Sequence, residues 1–96
     1  MATQLRRYEV KPGMLDHLVE WFPTVVQARE KYGFTVDFAF ADRERNQFVW
    51  AVSHQGDFDA ALEEYNASPE RAAAFEGQPP MVDEMHLAMV ETVIAP

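Results

Sequence analysis

Histidine is the side chain whose ordinary pKa lies nearest neutrality, so His17, His54 and His86 are the first candidates for proton transfer in this 96-residue chain. No two of them form a His-x-His or His-x-x-x-His pair, and there is no cysteine, so the spacing predicts no metal site and no thiolate chemistry. His54 stands out for its neighbours. It shares a strand face with Trp50, four residues before it, and in the hairpin register read below it lies diagonally near Asp37. A carboxylate beside an imidazole fixes its tautomer, so His54 with Asp37 reads as a catalytic general base. Arg6 and Tyr8 share a face of the first strand. Together with Phe48 and Trp50 they would supply a cation, a phenol and two aromatic surfaces to hold a substrate. The same residues also have a plain packing reading: a satisfied histidine at a sheet end, a tryptophan inside a dimer, and a cross-strand pair of Arg6 and Tyr8. His17 reads as solvated and His86 as structural. The four glycines are too scattered to cradle a phosphate, and Ser53 and Ser68 sit in no nucleophile elbow, so no nucleotide site and no cofactor are expected.

A regular succession of elements must position these groups. Gln4–Val10 alternates as a first strand and stops at Lys11-Pro12-Gly13. From Met14 to about Tyr32, Leu15, Leu18, Val19, Phe22, Val25, Val26 and Tyr32 fall on one side of a helix, and Asp16, His17, Glu20, Thr24, Gln27 and Lys31 on the other. Pro23 removes the bond to the Val19 carbonyl and predicts a kink or split; Gly33 predicts a left-handed stop. Phe34–Asp42 alternates strictly, with Phe34, Val36, Phe38 and Phe40 on one face. Gln47–His54 returns after the polar turn Arg43–Asn46, with Phe48, Trp50, Val52 and His54 on one side. An even loop sets Phe38 and Phe40 beside Ala51 and Val49, and Trp50 and His54 on the face of Ala39, Thr35 and Asp37. An odd loop with left-handed Asn46 inverts this. Asp57 caps a helix through Tyr65, Ser68-Pro69-Glu70 begins a short one to Glu76, and Met81–Ile94 closes as a strand.

This order, within one domain spanning residues 1–96, predicts an α+β, ferredoxin-like βαββαβ fold: a four-stranded antiparallel sheet in the order 4-1-3-2 with its helices on one face. Because the third strand is apolar on both sides, an open face with Phe48, Trp50 and Val52 would be left wet. A homodimer through that face is therefore expected.

Sixteen acidic residues against eight basic give a formal charge of −8, which repels phosphate backbones and anionic membranes. Neither nucleic acid nor membrane is expected as a partner. The one basic doublet, Arg6-Arg7, reads as one solvated arginine and one satisfied by a carboxylate. No apolar run is long enough to span a bilayer and no leader is legible, so the expected location is cytoplasmic.

The segments YEVKPGMLDHL, REKYGF and NQFVWAVSH, taken together, resemble the NIPSNAP family of dimeric α/β-barrel proteins over nearly the whole chain. The resemblance implies two sheets facing each other in a homodimeric barrel. The wider superfamily includes cofactor-free monooxygenases, polyketide cyclases, lactone isomerases and haem-degrading enzymes, so the resemblance permits an enzyme without selecting one. The resemblance implies little chemistry by itself; an enzyme of the cofactor-free barrel type would need a ligand-sized, mostly apolar cavity between the sheets, here expected to take a small hydrophobic, aromatic or polyketide-like molecule. There His54, aided by Asp37, would act without a cofactor in oxygenation, cyclisation or isomerisation, and Arg6 would stabilise the enolate or phenolate. The alternative is non-catalytic binding, or a structural or regulatory dimer.

Overall fold

The computed structural model describes residues 1–95. Seven elements follow in the order β1 (Ala2–Val10), α1 (Leu15–Glu30), β2 (Phe34–Asp42), β3 (Gln47–His54), α2 (Phe58–Asn66), α3 (Pro69–Phe75) and β4 (Val82–Val90). The strands form one antiparallel sheet in the order β2-β3-β1-β4, the ferredoxin-like order expected above, read from its other edge. Gly33 is left-handed, with φ +84°, and ends α1 as expected. Asp57 accepts the Ala60 N–H and Ser68 the Arg71 N–H, so both later helices start on side-chain caps. Pro23, however, does not split α1, which runs unbroken through it. Val19 and Pro23 both lie on the solvent side, where water can take the carbonyl that proline leaves unbonded, while Phe22 and Val25 hold the helix from below.

The β2–β3 loop is the four residues Arg43–Asn46, and Phe38 pairs with Ala51 and Phe40 with Val49, as an even loop requires. Asn46 is nonetheless left-handed, with φ +54°. Its Nδ2 donates to the Val10 carbonyl at 2.7 Å and its own carbonyl accepts the Val10 N–H at 3.1 Å, tying the loop to the end of β1.

A register shift at Asp37 breaks the alternation expected of β2. Beyond it Val36 pairs with Val52 and Phe34 with His54. This bulge turns Phe34 and Val36 towards the helices and leaves Phe38 and Phe40 on the opposite face, their rings 5.3 Å apart.

The structure also reverses which face is covered. Trp50, 1% exposed, packs under α1 with its ring 5.0 Å from Phe22, and Phe48 lies 4.8 Å from the same ring. A face of Phe48, Trp50 and Val52 buries more apolar area against the helix stripe than one of Val49, Ala51 and Ser53, and so it takes the helices. The uncovered face carries Leu5, Phe38, Phe40 and Val49, with Phe40 64% exposed. At the sheet edge, β4 sets Met85, Leu87 and Met89 opposite Tyr8, Arg6 and Gln4 and leaves all three exposed. No helix among the described residues is long and apolar enough to cross a membrane.

Candidate functional site

A cavity of about 570 Å³ lies between the helix-bearing face of the sheet and the helices, not on the far side of the sheet where a barrel interior was expected. Its sheet wall is Arg6 and Tyr8 of β1 and Trp50 of β3; α1 contributes Phe22, Val25 and Arg29, and α2 contributes Leu62 and Tyr65. Met85 and Leu87 of β4 border it on the exposed side. The volume falls in the range of small-molecule sites, and most of the wall is apolar with a few polar groups converging.

Arg6, Tyr8 and Trp50, three of the four residues expected to hold a substrate, are brought together. Arg6 Nε donates to Tyr8 Oη at 2.8 Å and its Nη1 to Gln4 Oε1 at 2.7 Å, while its guanidinium carbon stands 5.1 Å from the Trp50 ring centroid. Tyr8 meets Trp50 edge to face at 6.2 Å. Arg6 thus finds neutral partners instead of the carboxylate expected for one member of the doublet, and Arg7 is solvated on the other face. Phe48 is a core residue beneath Phe22 and does not reach the cavity wall.

His54 and Asp37 are not brought together. The Gly56 N–H donates to His54 Nδ1 at 2.9 Å, so the ring proton resides on Nε2, which donates to the Tyr32 carbonyl at 3.0 Å. Both ring nitrogens are occupied in fastening the end of β3 to the α1–β2 turn, and a Cβ at Gly33 would come within 2.7 Å of Nε2. Asp37, turned outward by the bulge, accepts from the Ser53 hydroxyl at 3.1 Å on the uncovered face. Neither residue lines the cavity. His17 meets Gln78 at the surface, and His86 lies between Glu9 and Glu84 across the uncovered face of β1 and β4. Among the described residues no group of three histidines or acids is disposed to hold a metal.

The residue that sequence reasoning missed is Arg29. Leu15, Leu18, Phe22, Val25 and Arg29 recur at spacings of three and four, so a cation occupies the last step of the buried stripe of α1. Its guanidinium carbon lies 4.4, 5.1 and 5.3 Å from the ring centroids of Tyr65, Phe34 and Trp50. Only 4% of the residue is exposed, and Nε and Nη1 have no hydrogen-bond partner. Burial, and next the charge of Arg6, press its pKa below the ordinary arginine value, while the neighbouring hydroxyls of Tyr65 and Tyr8 partly oppose this. Trp50 Nε1 and Tyr65 Oη are likewise buried without a partner.

No protein-family model matches the sequence, and no curated protein does. Solved structures do match in fold. An uncharacterized NIPSNAP domain protein from Burkholderia xenovorans superposes with a TM-score of 0.79 at 16% identity, covering 100% of this chain and 99% of its own. A NIPSNAP family protein of unknown function from Agrobacterium tumefaciens gives 0.81 at 12%, covering 94% and 86%. A structure described as an antibiotic biosynthesis monooxygenase gives 0.70 at 15%, covering 98% and 100%. At these identities the likeness is one of fold: the chain has the ferredoxin-like architecture that NIPSNAP proteins and such a monooxygenase share.

Proposed function

We propose that this protein binds a small, flat, mainly apolar molecule in the cavity between its sheet and helices, and works as a homodimer joined through the opposite face of the sheet. The observation that carries the binding reading is the cavity itself: about 570 Å³ of space beside Trp50, with apolar walls and the bonded pair of Arg6 and Tyr8 at one side. The dimer is supported by the apolar residues Leu5, Phe38, Phe40 and Val49 on the uncovered face, which a second copy of the same face would bury.

Trp21 and Trp50 both line the cavity, so intrinsic fluorescence reports its occupation. Titration with bicyclic and tricyclic aromatic compounds should give saturable quenching at one molecule per subunit, and Leu62→Phe, which adds bulk to the wall, should weaken it. Quenching by none of them, or quenching indifferent to Leu62→Phe, would remove the binding reading.

A second reading, in which the bound molecule is also converted by cofactor-free oxygenation, cyclisation or isomerisation, is favoured by the fold shared with a monooxygenase and by the cation and phenol at the wall. In this reading Arg6 and Tyr8 would stabilise an enolate or phenolate of a polyketide-like substrate, which their position on the cavity wall supports. Turnover of an anthrone-type compound, lowered by Tyr8→Phe without loss of binding, would establish it; binding without turnover returns the protein to the first reading.

A further inference from the structure

Three of the exposed cations pair with carboxylates, Lys11 with Asp83, Arg43 with Asp16 and Arg45 with Asp42, and Arg7 and Lys31 stand in solvent. The cations of the cavity pair with no carboxylate. Arg6 bonds only to the neutral oxygens of Tyr8 and Gln4, Arg29 is buried with two of its nitrogens unbonded, and Arg71, the third arginine of the lining, stacks on the Phe75 ring at 4.1 Å. Supply is not the reason, since the chain holds sixteen acidic residues for eight basic ones. None of the acids lines the cavity among the described residues.

A guanidinium keeps its charge under all ordinary conditions, so burying one without a counter-ion is among the costlier arrangements a fold can hold. The ring faces of Tyr65, Phe34 and Trp50 offset part of that cost, but a ring face is not an acceptor for in-plane N–H groups. The unsatisfied atoms Arg29 Nε, Arg29 Nη1, Trp50 Nε1 and Tyr65 Oη belong to three residues that line the cavity from α1, β3 and α2, and every one can donate a hydrogen bond. Neutral oxygens are at hand, among them Tyr65 Oη beside Arg29, but what the guanidiniums of this cavity lack is an anionic acceptor.

We propose that the cavity is a site for an aromatic carboxylate, its carboxylate group drawn to Arg29 and Arg6 and its ring system held against Trp50 and the apolar helix wall. The proposal rests on the binding reading above and narrows it to a ligand class. A planar monoanion suits a guanidinium and leaves the rest of the molecule to the apolar surfaces of Phe22, Val25 and Leu62, whereas a phosphate dianion would bring charge that those surfaces cannot solvate.

The test compares two probes of one shape, 2-naphthoate and its neutral amide, 2-naphthamide, by calorimetry on the intact protein at neutral pH. The expected result is one site per subunit, with naphthoate bound about tenfold or more tightly than the amide, the scale of a hydrogen bond to a charged group. Arg29→Met should abolish that preference, weakening naphthoate far more than naphthamide, and it should raise the thermal midpoint, because an unpaired buried cation gives way to an apolar chain of similar length. Should Arg29→Met fail to fold, Arg6→Met and the wild-type preference between the two probes carry the same test. Equal affinity of the wild type for both probes would overturn the anion site and leave the cavity reading standing. A preference that survives both Arg29→Met and Arg6→Met would also overturn it. If neither these probes nor the other aromatic compounds bind at all, it is the cavity reading that fails, and the narrower proposal with it.

Discussion

The indole N–H of Trp21 donates to the carbonyl of Ala74 across 2.8 Å, joining α1 to the last turn of α3. Carbonyls at a helix end have no partner within the helix, so this tryptophan serves as a cap supplied from another element, and its ring also packs edge to face on Phe75 at 4.8 Å. Trp21→Phe keeps most of the ring and loses the donor. It should cost about 1–3 kcal/mol, read as a lowered midpoint in urea, because the half-buried acceptor is left unpaired; an unchanged midpoint would mean that α3 is held by other contacts.

Trp50→Glu tests the layer to which Trp50 belongs. With Trp50 under α1 the substitution should unfold the subunit, at a cost of about 4 kcal/mol or more from the lost ring and the buried carboxylate. Far-ultraviolet circular dichroism should show loss of the native spectrum. A well-folded monomer would instead put Trp50 at a subunit interface.

Phe40→Glu addresses the other face. Phe40 stands exposed beside Phe38, so the change should leave the subunit folded while turning a dimer into a monomer in sedimentation at micromolar concentration. A wild-type monomer, or a dimer that survives Phe40→Glu, would reject association through this face.

Tyr32 donates to Glu70 at 2.6 Å, and that bond is the leading reason why the Glu70 carboxyl titrates below its ordinary range and the Tyr32 phenol above its own. A depressed carboxyl stabilises the fold above its unfolded-state pKa, and that contribution is lost as pH falls through the folded value; the raised phenol contributes below its unfolded-state pKa and is lost as pH climbs through the folded one. The stability difference between wild type and Tyr32→Phe should therefore be widest near neutrality and shrink below about pH 4 and above about pH 10. Thermal midpoints measured across pH check this, and a difference that stays constant at acid pH would assign the effect of Tyr32→Phe to packing alone.

Much of the fold was legible because its signals are local. Glycine at 33, the caps at Asp57 and Ser68, and the period-two and helical patterns each report on a few adjacent residues, and each appears where its chemistry demands. The site was less legible because it depends on which face of β3 meets the helices, and a strand that is apolar on both sides does not reveal that by pattern. His54 and Asp37 were separated by a bulge that no turn residue announces: Asp37 sits in an alternation that reads as perfect until the register slips. Arg29 was available to a closer reading, since a charge at the fifth place of a buried helical stripe breaks the pattern in the sequence itself. The pairing of Arg6 with Tyr8 emerged because two residues apart on one strand always share a face.

The bulge at Asp37 divides the labour of β2. Its first half sends Phe34 and Val36 into the subunit's own interior, and its second half offers Phe38 and Phe40 outward. A single nine-residue strand thereby takes part in two separate packing problems, and substitutions along it should report on different quantities: those before Asp37 on whether the subunit folds, those after it on whether folded subunits meet. In the proposed dimer, one residue inserted in the ladder would give the chain a way to alter its association without altering its stability.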